Sequence, residues 1–256
     1  TPTQDSSSAA SDVYKRQKGL QRALMHQKDG AGLDMYGSIS TTASESFMRK
    51  NTNRGYDDNV RIQGNQIKLY QENGMPVTRA SIMTAFGCNY EGPVEVSTVL
   101  HRLGEILDLA EEMGCNIEYV SLADTMGWAN PSSIKHVVGA VRDKWPDLRV
   151  NLHLHDTRGL GIANAYAGMQ MGVTDFDSSV AGLGGCPFAA LKGAAGNVCT
   201  EDLVFLCEEM GIETGVDLDK LVEVAQLAED IVGHPLPGSI MHAGTLTAAR
   251  SKAEAA

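Results

Sequence analysis

Residues 150–157 read Val-Asn-Leu-His-Leu-His-Asp-Thr. In an extended strand, strict alternation puts Leu152 and Leu154 on one face and Asn151, His153 and His155 on the other. Two imidazoles then leave the same face with their backbone positions about 7 Å apart, from a rise of ~3.3 Å per residue. That span suits two ligands of one metal ion. The run stops at Asp156-Thr157, so the pair would sit at the C-terminal end of its strand, where α/β barrels keep their chemistry. A lone histidine in a strand is ordinarily a packing or surface residue; a His-x-His at a strand end followed by Asp-Thr is a more specific pattern.

Three further stretches could serve the same site. Residues 178–188 form a glycine-rich turn, Ser-Ser-Val-Ala-Gly-Leu-Gly-Gly-Cys-Pro-Phe. A dinucleotide cradle is excluded, because Pro187 stands where the third glycine of that fingerprint would fall. The glycines read instead as the close-packed backbone of a mobile loop that brings Cys186 over a pocket, against the plainer reading of a buried inert thiol. Asn197 follows Gly193-Ala194-Ala195-Gly196, where its type suits either a left-handed turn or a hard oxygen ligand for a divalent cation. Asp124, in Leu122-Ala123-Asp124-Thr125-Met126-Gly127, lies just past a strand end and either caps the next turn or faces the site. The other histidines carry less: His26, His101 and His136 fall in helical segments, and His234 and His242 flank Pro235-Leu236-Pro237-Gly238 near the C-terminus.

These residues need a scaffold, and the rest of the chain supplies one. Strand-like runs over 33–38, 80–85, 117–122, 150–155 and 175–180 alternate with segments of helical period, the pattern of βα units around a parallel sheet. Val96, Val99, Leu100, Leu103, Ile106, Leu107 and Ala110 form one apolar helical stripe, and Asn130-Pro131 is an N-cap followed by a first-turn proline. Helices are also expected over 201–210 and 217–232, with no sixth strand.

The chain has 256 residues, 43% of them hydrophobic, which is too many for a disordered chain, and no apolar run approaches the ~20 residues of a membrane helix. Its net charge of −11 gives no basic footprint for nucleic acid or an anionic membrane. Cys88, Cys115, Cys186, Cys199 and Cys207 are odd in number and include no Cys-x-x-Cys pair, so a reducing compartment, the cytoplasm, is expected. Residues 1–17 are polar, and Asp12-Val13-Tyr14-Lys15-Arg16-Gln17 resembles the translation of a transposon end used in sequencing libraries. That segment is expected to lie outside the fold, and residues 247–256 to be a frayed terminus.

Taken in order, the residues resemble the 3-hydroxy-3-methylglutaryl-CoA lyase family, a branch of the metal-dependent lyase and Claisen-condensing barrel superfamily. The resemblance is carried by Ser179-Val180-Ala181-Gly182-Leu183-Gly184-Gly185-Cys186-Pro187, Phe86-Gly87-Cys88-Asn89-Tyr90-Glu91-Gly92, Leu122 to Gly127, His153 to Thr157, Gly196-Asn197 and Thr200-Glu201-Asp202-Leu203-Val204. It spans residues 18–246. Phe188 stands where tyrosine is usual, and the stretch from Cys186 to Asn197 is two residues longer than in some members.

The resemblance implies that His153, His155 and Asn197 bind Mg²⁺ or Mn²⁺, that Cys186 protonates an enolate, and that Asp124 orients the substrate or a ligand histidine. Two histidines with oxygen ligands suit such a hard cation, although Zn²⁺ or Fe²⁺ would also bind. The implied reaction cleaves an acyl-CoA substrate, 3-hydroxy-3-methylglutaryl-CoA, to acetyl-CoA and acetoacetate. The implied fold is a (β/α)₈ TIM barrel, with a homodimer as a candidate assembly. The family's first strand carries an Arg-Asp pair and its second a Glu, and neither occurs here. The five βα units therefore read as strands four to eight of an incomplete barrel with the first three missing, and the isolated chain is expected to be inactive. Competing readings are a related acyl-CoA lyase, aldolase or condensing enzyme, a metal-dependent hydrolase on the same barrel, and a non-catalytic product with exposed sheet edges.

Overall fold

In the computed structural model, which describes residues 17–28, 35–184, 196–247 and 250, strands and helices alternate along the chain. They are α1 (Gln17–Lys28), β1 (Gly37–Thr42), α2 (Glu45–Thr52), α3 (Tyr56–Glu72), β2 (Val77–Met83), the short pair β3 (Gly87–Cys88) and β4 (Gly92–Pro93), α4 (Val96–Glu112) and β5 (Tyr119–Asp124). There follow α5 (Pro131–Lys144), β6 (Arg149–Leu154), α6 (Gly161–Gln170), β7 (Asp175–Asp177), a 3₁₀ turn (Val180–Gly182), α7 (Thr200–Glu209), α8 (Leu218–Val232) and α9 (Ser239–Ala243). β1, β2, β5, β6 and β7 form one parallel sheet in that order, so the expected α/β architecture is the observed one. Among the described residues the sheet is open, with β1 and β7 at its edges.

The sheet sorts its residues by polarity. Ile39, Ala80, Ile82, Val120, Leu122, Val150, Leu152 and Leu154 are buried in one apolar core with Ile67, Val99, Leu103, Ile106, Ile134 and Val141 of the helices. The opposite face is polar in tiers set by the register. Arg79 pairs with Tyr119 and Tyr119 with Arg149; Ser81 pairs with Ser121, Ser121 with Asn151, and Asn151 with Asp175; Ala123 pairs with His153 and His153 with Asp177. Helices on one face only give each strand one apolar and one polar set, and the period of two keeps the sets apart.

The helices follow local chemistry. The Asn130 side chain accepts from the backbone of Ser132 and Ser133, the Ser133 hydroxyl accepts from the Asn130 N–H, and Pro131 occupies the first turn, as the sequence predicts for α5. In α4, Val99, Leu103, Ile106 and Ala110 are fully buried, which is the predicted stripe. The strands expected over 80–85 and 117–122 lie at Val77–Met83 and Tyr119–Asp124, and two others depart further. The strand expected over 33–38 lies at Gly37–Thr42, where Ile39 faces the core and the residues beside it are small and polar, so apolar content points upstream of the true strand. The strand expected over 175–180 stops at Asp177; Ser179 bridges instead to Cys199, and Ala181 then turns to φ 53°. No described helix is long and apolar enough to cross a membrane.

Leu152 is 0% exposed at the centre of the core. Its replacement by Ala is expected to lower the unfolding free energy by about 2–5 kcal/mol in urea titrations. Val224→Ala on the outer side of α8 should change it by no more than ~0.5 kcal/mol.

Candidate active site

Because Leu152 and Leu154 are held in the core, His153 and His155 emerge together on the polar face at the C-terminal end of β6. Their rings approach edge to face, with centroids 5.1 Å apart at 68°. This is closer than the ~7 Å expected from backbone rise alone, because β6 ends at Leu154 and the two rings lean together. Each ring is tethered through Nδ1: His153 to the Asp177 carboxylate at 2.9 Å and His155 to the Thr125 carbonyl at 2.8 Å. A carbonyl only accepts, so His155 carries its proton on Nδ1 and presents Nε2 as a bare lone pair. An ionised Asp177 imposes the same tautomer on His153.

Asn197 reaches the pair through chain geometry. Residues 196–199 return between the ends of β6 and β7: His155 and Asn197 form an antiparallel bridge, Val198 N–H donates to Leu154, and Ser179 N–H donates to Val198. The Asn197 Nδ2 donates to the Leu183 carbonyl at 3.3 Å, and its Oδ1 is buried without a hydrogen-bond partner. The glycines here make room for the crossing. A Cβ on Gly196 would lie 2.5 Å from the Gly182 carbonyl oxygen and 2.7 Å from the Gly184 carbonyl carbon, both backbone atoms. The two stems of the glycine-rich segment are thus pressed against each other. Cys186 and Phe188 lie outside the described residues.

Asp124 sits at the end of β5, 1% exposed. Its Oδ1 accepts from the N–H groups of Trp128 and Ala129, so it braces the turn that contains Thr125, the residue that tethers His155. Its Oδ2 is buried and unpartnered. Burial pushes the Asp124 carboxyl up to about 6, against the pull of those two N–H donors and of Arg158 and His153. The same burial, with the neighbouring His153, pushes His155 down to about 4, only partly offset by its hydrogen bond to Thr125. Burial also opposes ionisation of Asp177, but hydrogen bonds from His153 and Asn151 outweigh it and hold that carboxyl below its usual range.

Residues 12–228 match the model of the HMGL-like family. The chain belongs to the HMGL-like family. It is 40% identical over 225 residues to the hydroxymethylglutaryl-CoA lyase of Bacillus subtilis, covering 88% of this chain and 70% of that one. It is 41% identical over 185 residues to the human mitochondrial enzyme of that name, covering 72% of this chain and 54% of the relative. This HMGL-like chain therefore spans little more than half the length of its mammalian relatives. Among solved structures, it resembles the Bacillus subtilis HMG-CoA lyase with a TM-score of 0.77 at 35% identity, covering 89% of this chain and 72% of that one. It also resembles the Acinetobacter baumannii HMG-CoA lyase, solved in complex with coenzyme A and 3-methylmalate, with a TM-score of 0.75 at 33% identity, covering 89% and 70%.

In this HMGL-like chain the structure brings His153, His155 and Asn197 together and puts Asp124 one hydrogen-bonded turn behind His155. Among the described residues no three His, Cys, Asp or Glu side chains are arranged to hold a metal ion by themselves, so the donors gathered here are two imidazoles and an amide. Asp156, next to the pair in sequence, serves instead to cap α6, accepting from the Gly161 N–H at 2.6 Å. His234 and His242 bond locally, to Pro235 and Leu236. Sequence reasoning missed two partners, the Thr125 carbonyl and Asp177; a backbone carbonyl leaves no signal in residue types, and Asp177 becomes informative only once its register is known.

Asp124 and His155 titrate in opposite senses. Between about pH 4 and 6 native Asp124 holds a proton that the unfolded chain has lost, so its contribution falls as pH rises. Between about pH 4 and 6.5 native His155 lacks a proton that the unfolded chain holds, so its contribution rises. Each amounts to about 3 kcal/mol, and the two nearly cancel. In metal-free Asp124→Asn, the unfolding free energy should therefore climb by about 3 kcal/mol more than wild type between pH 4 and 6.5, measured by urea denaturation at each pH. Parallel curves would show that Asp124 is ionised in the native state across this range.

Proposed function

We propose that this chain carries the ion-binding and protonating part of a divalent-metal-dependent carbon–carbon lyase that cleaves 3-hydroxy-3-methylglutaryl-CoA to acetyl-CoA and acetoacetate. The observation that carries this reading is the pair of Nδ1-tethered histidines beside the buried, unpartnered Asn197 Oδ1, in a chain of the HMGL-like family. Neutral imidazoles and an amide oxygen fit a hard cation that leaves positions open to water or substrate oxygen. His153, His155 and Asn197 would hold it, and Mg²⁺ or Mn²⁺ bound there would polarise the substrate oxygens.

The chain's own residues supply the rest. His155, kept neutral by burial, offers its Nε2 lone pair across the physiological range. Asp124 acts by positioning: it braces the turn whose Thr125 carbonyl orients His155. Cys186 is assigned the thiol that donates a proton to the acetyl-CoA enolate once a base has taken the substrate hydroxyl proton and the C–C bond has broken. An acyl-CoA substrate is supported by the coenzyme A bound to the Acinetobacter baumannii lyase. We assign residues 18–246 to the barrel domain, its five strands being the last five of eight, with 1–17 outside it and 247–256 a terminal tail. The family match reaches back to residue 12, inside the segment assigned to the outside. A homodimer and a cytoplasmic location belong to the same proposal; the relatives are named both mitochondrial and cytoplasmic.

The test is acetyl-CoA release from 3-hydroxy-3-methylglutaryl-CoA with Mg²⁺, assayed on the 256-residue chain and on the protein read from the upstream reading frame continuous with Lys18. The longer protein should cleave the substrate, and Cys186→Ala should slow it about 10²–10⁴-fold. The shorter chain should not turn over. Robust turnover by the shorter chain would overturn the assignment of its strands. Failure of the longer protein, or indifference to Cys186→Ala, would overturn the lyase reading, and indifference would favour a hydrolase working through metal-bound water.

A further inference from the structure

β7 is only three residues long, Asp175-Phe176-Asp177, yet its placement is tightly determined. Phe176 pairs with Leu152 and turns toward the core, where both side chains pack onto the close-approaching Gly168 of α6: a Cβ there would come within 3.3 Å of the Phe176 ring and clash with Leu152. With Phe176 facing the helices, Asp175 and Asp177 face the other way, opposite Asn151 and His153. A slip of one residue would turn both carboxylates into the helix layer.

The two aspartates differ in what they meet. Asp175 pairs with Arg149, whose side chain is 67% exposed, an ordinary surface ion pair. Asp177, itself 43% exposed, accepts from Nδ1 of His153 at 2.9 Å, and that histidine side chain is only 18% exposed. Asn151, level with Asp175 in the register, is 1% exposed and donates its amide to the Ser121 hydroxyl at 2.9 Å.

We infer that Asp177 is a positioning residue for His153: its carboxylate fixes the Nδ1–H tautomer and ring orientation and so leaves Nε2 free to act beside His155. The inference rests on the reading of His153 and His155 as a ligand pair for its purpose, but its geometry does not depend on an ion being bound. A carboxylate behind a ligand imidazole raises its basicity and fixes its direction, and loss of such a partner typically costs 10–100-fold in ion affinity.

The test uses the full 256-residue chain labelled with ¹⁵N-histidine, free of metal and at pH 8, where neutral tautomers are resolved by NMR. Wild type should show His153 and His155 each as a single Nδ1–H tautomer. In Asp177→Ala, His153 should become a mixture containing the Nε2–H form while His155, still held by Thr125, is unchanged. Asp177→Asn keeps the shape and an acceptor oxygen, so it should lie between the two, and Asp175→Asn should match wild type. Mn²⁺ titration followed by electron paramagnetic resonance should show a Kd raised about 10–100-fold in Asp177→Ala. An unchanged His153 tautomer in both Asp177 variants overturns the inference. If wild type shows the expected tautomers and binds no Mn²⁺, the ion-site reading fails while the tautomer comparison still decides the role of Asp177.

Discussion

The register of β6 between β5 and β7 is the constraint on which the site depends. Leu152 stands level with Leu122 on one side and Phe176 on the other, all three turned toward the helices. Burying that row is worth several kcal/mol, and any slip would expose it. Everything polar on the opposite face follows from the same alignment. His153 meets Asp177, Asn151 meets Ser121, and His155 is delivered to the strand end where Thr125 and Asn197 can reach it. The apolar side of the sheet therefore does the positioning for the polar side, without touching substrate.

Burial has a second consequence at the strand ends. The water exclusion that keeps His155 neutral also raises Asp124, so the site holds a proton on the acid and none on that imidazole at moderately low pH. Both shifts disfavour charge in the same dry region, which is the condition under which neutral nitrogen and oxygen donors stay available to a cation. Asp124 Oδ2 and Asn197 Oδ1 are left without hydrogen-bond partners in this region, at a cost that the surrounding packing must offset.

The glycines of the segment after β7 have a packing explanation at its two stems. Gly182 sits at φ 66° and Gly184 at φ 90°, while Gly196 has no space for a Cβ against the backbone of the other stem. Ala181, also left-handed at φ 53°, donates its N–H to the fully buried Glu201 carboxylate, which ties the first stem to α7. The stems are thereby fixed closely enough to bring Asn197 onto His155.

Residue types and periodicity alone determined a parallel α/β sheet, the stripe of α4, the capped start of α5, and the projection of His153 and His155 from one face. These are short-range properties, set by the period of two in strands, by 3.6 in helices and by hydrogen bonds between near neighbours. Residue types also singled out Asn197, Asp124 and Cys186 as candidates, and the motif resemblance implied a role for each. Tertiary structure alone decided that β1 begins at Gly37, that Asp156 caps a helix while Asp124 braces a turn, and that Asp177 and the Thr125 carbonyl hold the two rings. The two ring tethers depend on contacts between residues 24 and 30 positions apart, which register and chain crossings set, and the roles of Asp156 and Asp124 are each set by which nearby N–H the local turn places opposite the carboxylate.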